Sequence, residues 1–275
     1  MKIMRASDMV QERPTLKILT YGMTGSGKTT WAAKSPMPLV IATEPQSVPS
    51  IQSANPDAMV LCVDSWEEFK SAWGVIAKSK PIKLENGQAA AEAHFDGQVV
   101  EFQTVVLDSL SDLQQRMIES LTGADKSTAK SLQMRGGPQL TLPQWGQLQG
   151  AMGRILRSSR SIPANVIFIC LASEQYDDKQ VRRVVPLLSG KKTVGTIGQF
   201  FNAVGYQAID NDGNHAICWQ ASNRFISKPA PGFPGVTSGS VELGDLLLQS
   251  YPNASGVAHS PSNSVDNVID SRQKK

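Results

Sequence analysis

The sequence predicts an α/β protein with a mostly parallel central sheet and helices on both faces. Three observations predict it. Short, nearly unbroken apolar runs recur along the chain, as strands buried on both faces require. Amphipathic helical segments separate those runs. A glycine-rich turn, from Gly22 to Gly27, joins the first run to the first helix.

The elements follow in order. Residues 1–14 are polar with scattered apolar positions and end at Pro14, which reads as an N-terminal arm. Residues 16–21 form the first strand and residues 28–34 a helix, closed by Pro36 and Pro38. Residues 38–43 and 60–63 are the next strands. Ser65 opens a helix through a capping box with Glu68, and Trp66, Phe69, Trp73 and Ile76 share one face of it. Residues 80–101 read as a loop or hairpin insertion, with turns at Asn86-Gly87 and Asp96-Gly97.

Residues 104–107 form a strand ending at Asp108. A second capping box, from Ser111 to Gln114, is expected to start the helix that carries Leu113, Met117 and Leu121. Residues 122–142 are rich in Gly, Ser, Thr and Lys and read as a long mobile loop. Pro143 suits the first turn of the next helix. Residues 166–171 are the most apolar strand, followed by a second long polar loop over residues 174–195. Strands over 204–209 and 216–220 flank Asp210-Asn211-Asp212-Gly213, a hairpin signal, and residues 241–249 form a last helix. The Ser/Asn-rich residues 251–275 are expected to be a disordered C-terminal tail.

Hydrophobic residues make up 40% and charged residues 19%, which sets aside a fully disordered chain. The formal net charge of +3 neither announces nor excludes nucleic-acid binding. Cys62, Cys170 and Cys218 lack metal-ligand spacing, and two of them sit in apolar runs, so buried reduced thiols are expected. His94, His215 and His259 are isolated, which argues against zinc. No apolar run approaches the roughly 20 residues of a membrane span, and no secretory signal opens the chain, so a cytoplasmic protein with no membrane partner is expected.

Chemistry concentrates at one string. Gly22-Met23-Thr24-Gly25-Ser26-Gly27-Lys28-Thr29 fits G-x-x-x-x-G-K-[ST] in full, and Thr30 follows in the same helical turn. The glycines let backbone N–H groups turn inward around a phosphate. Lys28 would reach the β- and γ-phosphates, and Thr29 would ligate Mg²⁺. ATP and Mg²⁺ are therefore the expected ligands. Asp108, just past a buried strand, supplies the second Mg²⁺ oxygen, with a turn or helix-cap aspartate as the alternative. Glu44 ends the strand over residues 38–43 and is the candidate base for water, with a solvated loop glutamate before Pro45 as the alternative. No Asn-Lys-x-Asp string is present, which disfavours a GTPase, and no Arg-rich lid of the small-molecule kinases occurs.

These parts resemble the RecA-type P-loop ATPase core. The phosphate loop, a strand ending in Glu44, the string Leu107-Asp108-Ser109, and an apolar strand followed by a long loop occur in that family's order over residues 15–230. The compact length is most similar to the short RecA-like ATPases of bacteriophages, some of which anneal single strands. The resemblance implies a RecA-like ATPase domain over 15–250, with Glu44 and Lys28 catalytic. It implies DNA-binding loops at 122–142 and at 174–192, the latter carrying Lys179, Arg182, Arg183, Lys191 and Lys192. It implies trans-acting cations at Arg224 and Lys228, which would complete a neighbouring subunit's site, or else serve as plain surface residues. It expects a polar amide sensor before the second DNA loop; here Ser173 or Glu174 stands in that place.

The combined expectation is an oligomeric ATPase acting on single-stranded DNA in phage recombination, annealing or repair. A phage single-strand-binding or replication protein is a further expected partner. Two alternatives share the phosphate site: a helicase-loader or packaging ATPase that responds to a protein, and a nucleotide-gated binding protein with little turnover.

Overall fold

A computed structural model describes residues 15–85, 88–124, 139–176, 180–238 and 242–250. The expected arm at 1–14, the tail at 251–275, the Asn86-Gly87 turn, Lys179 and most of the 122–142 loop lie outside the described residues.

The predicted sheet is present. Strand β1, Lys17–Gly22, is buried at every position, because parallel neighbours cover both its edges and helices cover both its faces. It pairs with β8, Asn165–Tyr176, on one side and with β10, Ala203–Ile209, on the other. Beyond β8 come β7, Thr104–Asp108, then β2, Pro38–Ala42, then the edge strand β3, Met59–Cys62. All of these pairs are parallel. Beyond β10 the sheet turns antiparallel through β11, His215–Cys218, and β12, Val236–Ser238.

Strand alternation divides the core between the two faces. Val105, Leu107, Phe168 and Leu19 pack against α3 (Trp66–Ile76), α4 (Leu110–Thr122) and α5 (Leu142–Ser158), through Phe69, Trp73, Leu113, Met117, Leu148 and Met152. Ile18, Val106, Ile167 and Ile169 face the other way, onto Ala32 and Ala33 of α1 (Lys28–Ala33), Ile51 of α2 (Val48–Ala54), Trp219, and Leu243 and Leu246 of α7 (Leu243–Ser250).

Two expectations change and one is narrowed. The α4 cap is Ser109, whose Oγ accepts from the Asp112 N–H at 3.2 Å; the helix starts two residues before the expected box. The chain leaves β7 and turns at once, so the first polar residue after Asp108 becomes the cap. Ser111 instead accepts from the Leu171 N–H at 3.0 Å and donates to the Leu187 carbonyl at 2.9 Å, tying α4 to β8. Of the loop and the hairpin left open for residues 80–101, the structure shows the hairpin, extended to a three-stranded antiparallel sheet: β4 (Lys80–Lys83), β5 (Ala89–Phe95) and β6 (Gln98–Phe102). Asp96 and Gly97, at φ 46° and 86°, make the tight turn, and Ala91, Ala93 and Phe102 join the core.

The polar stretch after residue 174 is a hairpin, not a loop. Strand β8 runs on to Tyr176, and β9, Arg182–Pro186, returns antiparallel with Glu174 opposite Val184 and Tyr176 opposite Arg182. The far end of this ribbon, Glu174 to Tyr176 and Arg183, is polar and exposed while its backbone is strand, and at its base Val185 joins the core. A short helix, α6 (Lys191–Thr196), follows it.

Candidate nucleotide site

The phosphate loop occupies the carboxyl edge of β1. Gly22 sits between Leu171 of β8 and Gln207 of β10. A Cβ at Gly22 would lie 2.2 Å from the Gln207 carbonyl oxygen, so only glycine permits this strand to end here. Gly27 has φ 86°, and a Cβ there would meet the His215 imidazole at 2.9 Å. Between them the loop folds tightly, with the Ser26 N–H on the Met23 carbonyl at 3.2 Å, while Thr24 and Gly25 are exposed at the rim and Thr30 lies exposed in the first turn of α1.

Lys28 is the charge of this loop. Its Nζ donates to the Gly22 carbonyl at 3.0 Å, the Met23 carbonyl at 2.8 Å and Ser26 Oγ at 3.3 Å. Burial lowers its pKa, and Asp108 and Glu44 pull it back up. The ammonium thus curls onto the loop's own carbonyls, acceptors that phosphate oxygens can replace.

Asp108 ends β7 and is 5% exposed. Its Oδ2 accepts from Thr29 Oγ1 at 2.8 Å. Burial pushes its carboxyl pKa up, while the Thr29 bond and Lys28 pull it down. A hydroxyl and a carboxylate held together form a two-oxygen anchor that suits Mg²⁺, a hard cation that keeps waters and takes phosphate oxygens. The donor set and the glycine cradle fit both expected ligands, and when bound the metal would supply positive charge against the phosphates.

Glu44 stands beside this pair. Its Oε1 accepts from Ser109 Oγ at 2.8 Å. Thr43 locks the two strand ends together: its N–H donates to the Asp108 carbonyl at 2.8 Å, and its Oγ1 accepts from the Ser109 N–H at 2.9 Å. The Asp108–Ser109 peptide is cis. Arg116, on α4, pairs with Asp112 at 2.7 Å and donates to the carbonyls of Thr43 and Asp64. Sequence reading singled out neither Thr43 nor Arg116 and saw in Ser109 only the neighbour of an aspartate. Their signal is weak, because a strand-end threonine and a helical arginine are common in any α/β chain.

The remaining candidates scatter. Ser173 and Glu174 lie beyond the position beside Gly22, which Leu171 fills. Ser173 is in the hairpin ladder, and Glu174 pairs with Arg182 across the hairpin. Arg182 and Arg183 lie on the returning strand β9; Lys191 and Lys192 open α6. Arg224 is exposed, and its carbonyl accepts from the Val184 N–H at 2.7 Å, next to the hairpin base. Lys228 is placed elsewhere: it bridges Val204 near the start of β10, and its Nζ donates to the Phe201 carbonyl at 2.7 Å. Cys170 and Cys218 are buried free thiols, as expected, whereas Cys62 is exposed.

A parallel sheet with G-x-x-x-x-G-K-T after its central strand, and an aspartate after a nearby one, is the architecture of a P-loop nucleotide-binding protein. The family model described as "AAA domain" matches residues 15–229, and the chain belongs to that family. Membership puts it among the P-loop ATPases. No curated protein matches the chain. No helix among the described residues is long and apolar enough to cross a membrane.

Proposed function

We propose that this protein is a RecA-like ATPase that hydrolyses MgATP and acts, as an oligomer, on single-stranded DNA in recombination, annealing or repair of the phage type. In this reading Lys28 and the loop N–H groups hold the phosphates, and Thr29 and Asp108 hold Mg²⁺. Glu44, steadied by Ser109, takes a proton from the attacking water. Arg224 and Lys228, both exposed, reach toward a neighbouring subunit's site.

The observation that carries the DNA reading is the connection between the phosphate strand and the β8–β9 hairpin. Tyr21, immediately before Gly22, donates its hydroxyl to the Val184 carbonyl at 3.2 Å and the Ile226 carbonyl at 2.8 Å. The hairpin carries Arg182 and Arg183 together with exposed Tyr176, cation and aromatic on one ribbon, the combination that binds a single strand. A second reading, a loader answering to a protein partner, draws on the same ribbon, because Val181 and Leu187 also expose apolar side chains there.

ATP turnover measured with and without a single-stranded oligonucleotide tests the proposal. Stimulation by DNA is expected, together with a loss of about 10²–10⁴-fold in turnover in Glu44→Gln at unchanged ATP affinity. DNA affinity is expected to fall with salt, and Arg183→Ala to reduce that salt slope by about 1. Turnover indifferent to DNA but raised by a replication protein would favour the loader. No turnover under either condition would leave a nucleotide-gated binding protein.

A further inference from the structure

Arg116 lies seven residues along α4 from its cap, Ser109, and so on the same face, since seven residues make almost two turns. Asp112 stands between them. Each nitrogen of the guanidinium has its own acceptor: Nε donates to Asp112 Oδ2 at 2.7 Å, Nη1 to the Asp64 carbonyl and Nη2 to the Thr43 carbonyl. A planar guanidinium presents its donors in one rigid fork, which a lysine ammonium does not. Thr43 and Asp64 lie just past Ala42 and Cys62, the last paired residues of β2 and β3. Arg116 therefore ties α4 to two strand ends where the ladder no longer holds them.

These bonds close into a ring through Glu44. Ser109 Oγ donates to Glu44 Oε1 at 2.8 Å and accepts from the Asp112 N–H at 3.2 Å. Asp112 receives Arg116, Arg116 holds the Thr43 carbonyl, and the Thr43–Glu44 peptide leads back to the start. The helix thus grips Glu44 twice, at its carboxylate through Ser109 and at the peptide before it through Arg116. That peptide is planar, so holding its carbonyl also orients the bond from which Glu44 departs. The Asp112–Arg116 pair is partly exposed and spaced i, i+4, a kind of pair that adds little to helix stability. Its effect here is to aim the guanidinium at the two carbonyls.

We infer that Arg116 is a positioning residue for Glu44, holding the Thr43–Glu44 peptide so that the carboxylate meets the attacking water. This role rests on the reading of Glu44 as the base and adds the group that sets its geometry. Without the fork Glu44 keeps its chemistry but its carboxylate drifts, and a shift of about 1 Å at a reacting group costs up to about a hundredfold in rate.

Steady-state ATP turnover and calorimetric ATP affinity test it in the wild type, Arg116→Gln, Arg116→Lys, Glu44→Gln and the double variant of Glu44→Gln with Arg116→Gln. Arg116→Gln is expected to lower kcat about ten- to a hundredfold at unchanged ATP affinity. Arg116→Lys keeps the charge but loses the fork, and should recover only part of that loss. In the double variant Arg116→Gln should cost nothing beyond Glu44→Gln, because it acts through that carboxylate. An additive loss there overturns the inference, and so does an unchanged kcat in Arg116→Gln or a loss of ATP affinity as large as the loss of kcat. Where Arg116→Gln fails to fold, Asp112→Asn takes its place: it unpairs the guanidinium without removing it and should lower kcat in the same way, and an unchanged kcat overturns the inference. Glu44→Gln that turns over like the wild type refutes the base reading and this role together. An impaired Glu44→Gln beside an unimpaired Arg116→Gln refutes the role alone.

Discussion

Two lysines, at opposite ends of β1, are buried to a similar degree: Lys17 is 5% exposed and Lys28 is 8%. Each amine is hydrogen-bonded to backbone carbonyls, and burial lowers the pKa of each. They differ in what surrounds them. Lys17 Nζ donates to the Ile162 and Ala164 carbonyls at 2.9 and 2.5 Å and to Thr15 Oγ1 at 3.0 Å. The two carbonyls belong to the turn between α5 and β8, which the sheet holds in place. Among the described residues no carboxylate raises its pKa, which burial lowers to about 7. Lys28 donates to a loop bounded by glycines and feels both Asp108 and Glu44. Burial of a cation is thus common to a structural clamp and a binding site. What separates them is whether its partners can be exchanged and whether opposite charge stands beyond.

The largest break in this comparison is Lys28→Met. ATP affinity should fall by about a thousandfold, since a desolvated charge-assisted contact to phosphate is lost, while the nucleotide-free fold should persist. Titration calorimetry and thermal melting check the two halves. Lys17→Met should leave ATP affinity unchanged; if it too lost ATP binding, the division between clamp and site would collapse.

Asp108→Asn sharpens the comparison by making Lys28 more like Lys17. It removes the carboxylate that raises the Lys28 pKa, so that pKa should fall further, visible as amine labelling that extends to lower pH. Affinity for ATP should lose most of its Mg²⁺ dependence, roughly tenfold to a hundredfold. The nucleotide-free protein should become more stable, because a buried carboxylate pushed up in pKa by desolvation is gone. A variant less stable than the wild type would show that the Thr29 hydrogen bond outweighs the desolvation.

The same contrast explains what could be read in advance. The phosphate loop, β1, β2 and β7 were legible because central parallel strands are continuous apolar runs and the loop has a fixed string. Ser109 as the α4 cap was not, since the box from Ser111 to Gln114 has equally good spacing and only the sharp exit from β7 decides. The β8–β9 hairpin was hidden because a solvent-exposed ribbon carries loop-like polarity. Gln207 and His215 were hidden for a different reason: β10 reaches Gly22 by parallel pairing across most of the chain, and such pairing leaves no local pattern. Lys17 lies inside the first apolar run, with nothing nearby in sequence to mark its burial.

The pH dependence of stability is the effect most diagnostic of Lys17. A lysine with a depressed folded pKa holds fewer protons than the unfolded chain between about 7 and 10.5, so stability rises as pH climbs through that window. Cys170 and Cys218 act oppositely. Burial raises their pKa values to about 12 and about 11 from 9.0, so the unfolded chain loses those protons first and stability falls above pH 9. Between pH 7 and 9, then, the wild type should gain about 2 kcal/mol from Lys17, and Lys17→Met should lack that rise. Denaturant unfolding of the nucleotide-free protein at several pH values measures it. A flat wild-type profile would mean that the two carbonyls and Thr15 hold the ammonium charged despite its burial. Lys17 would then match Lys28 in charge state as well as in burial, and only the exchangeability of the loop carbonyls would distinguish the site from the clamp.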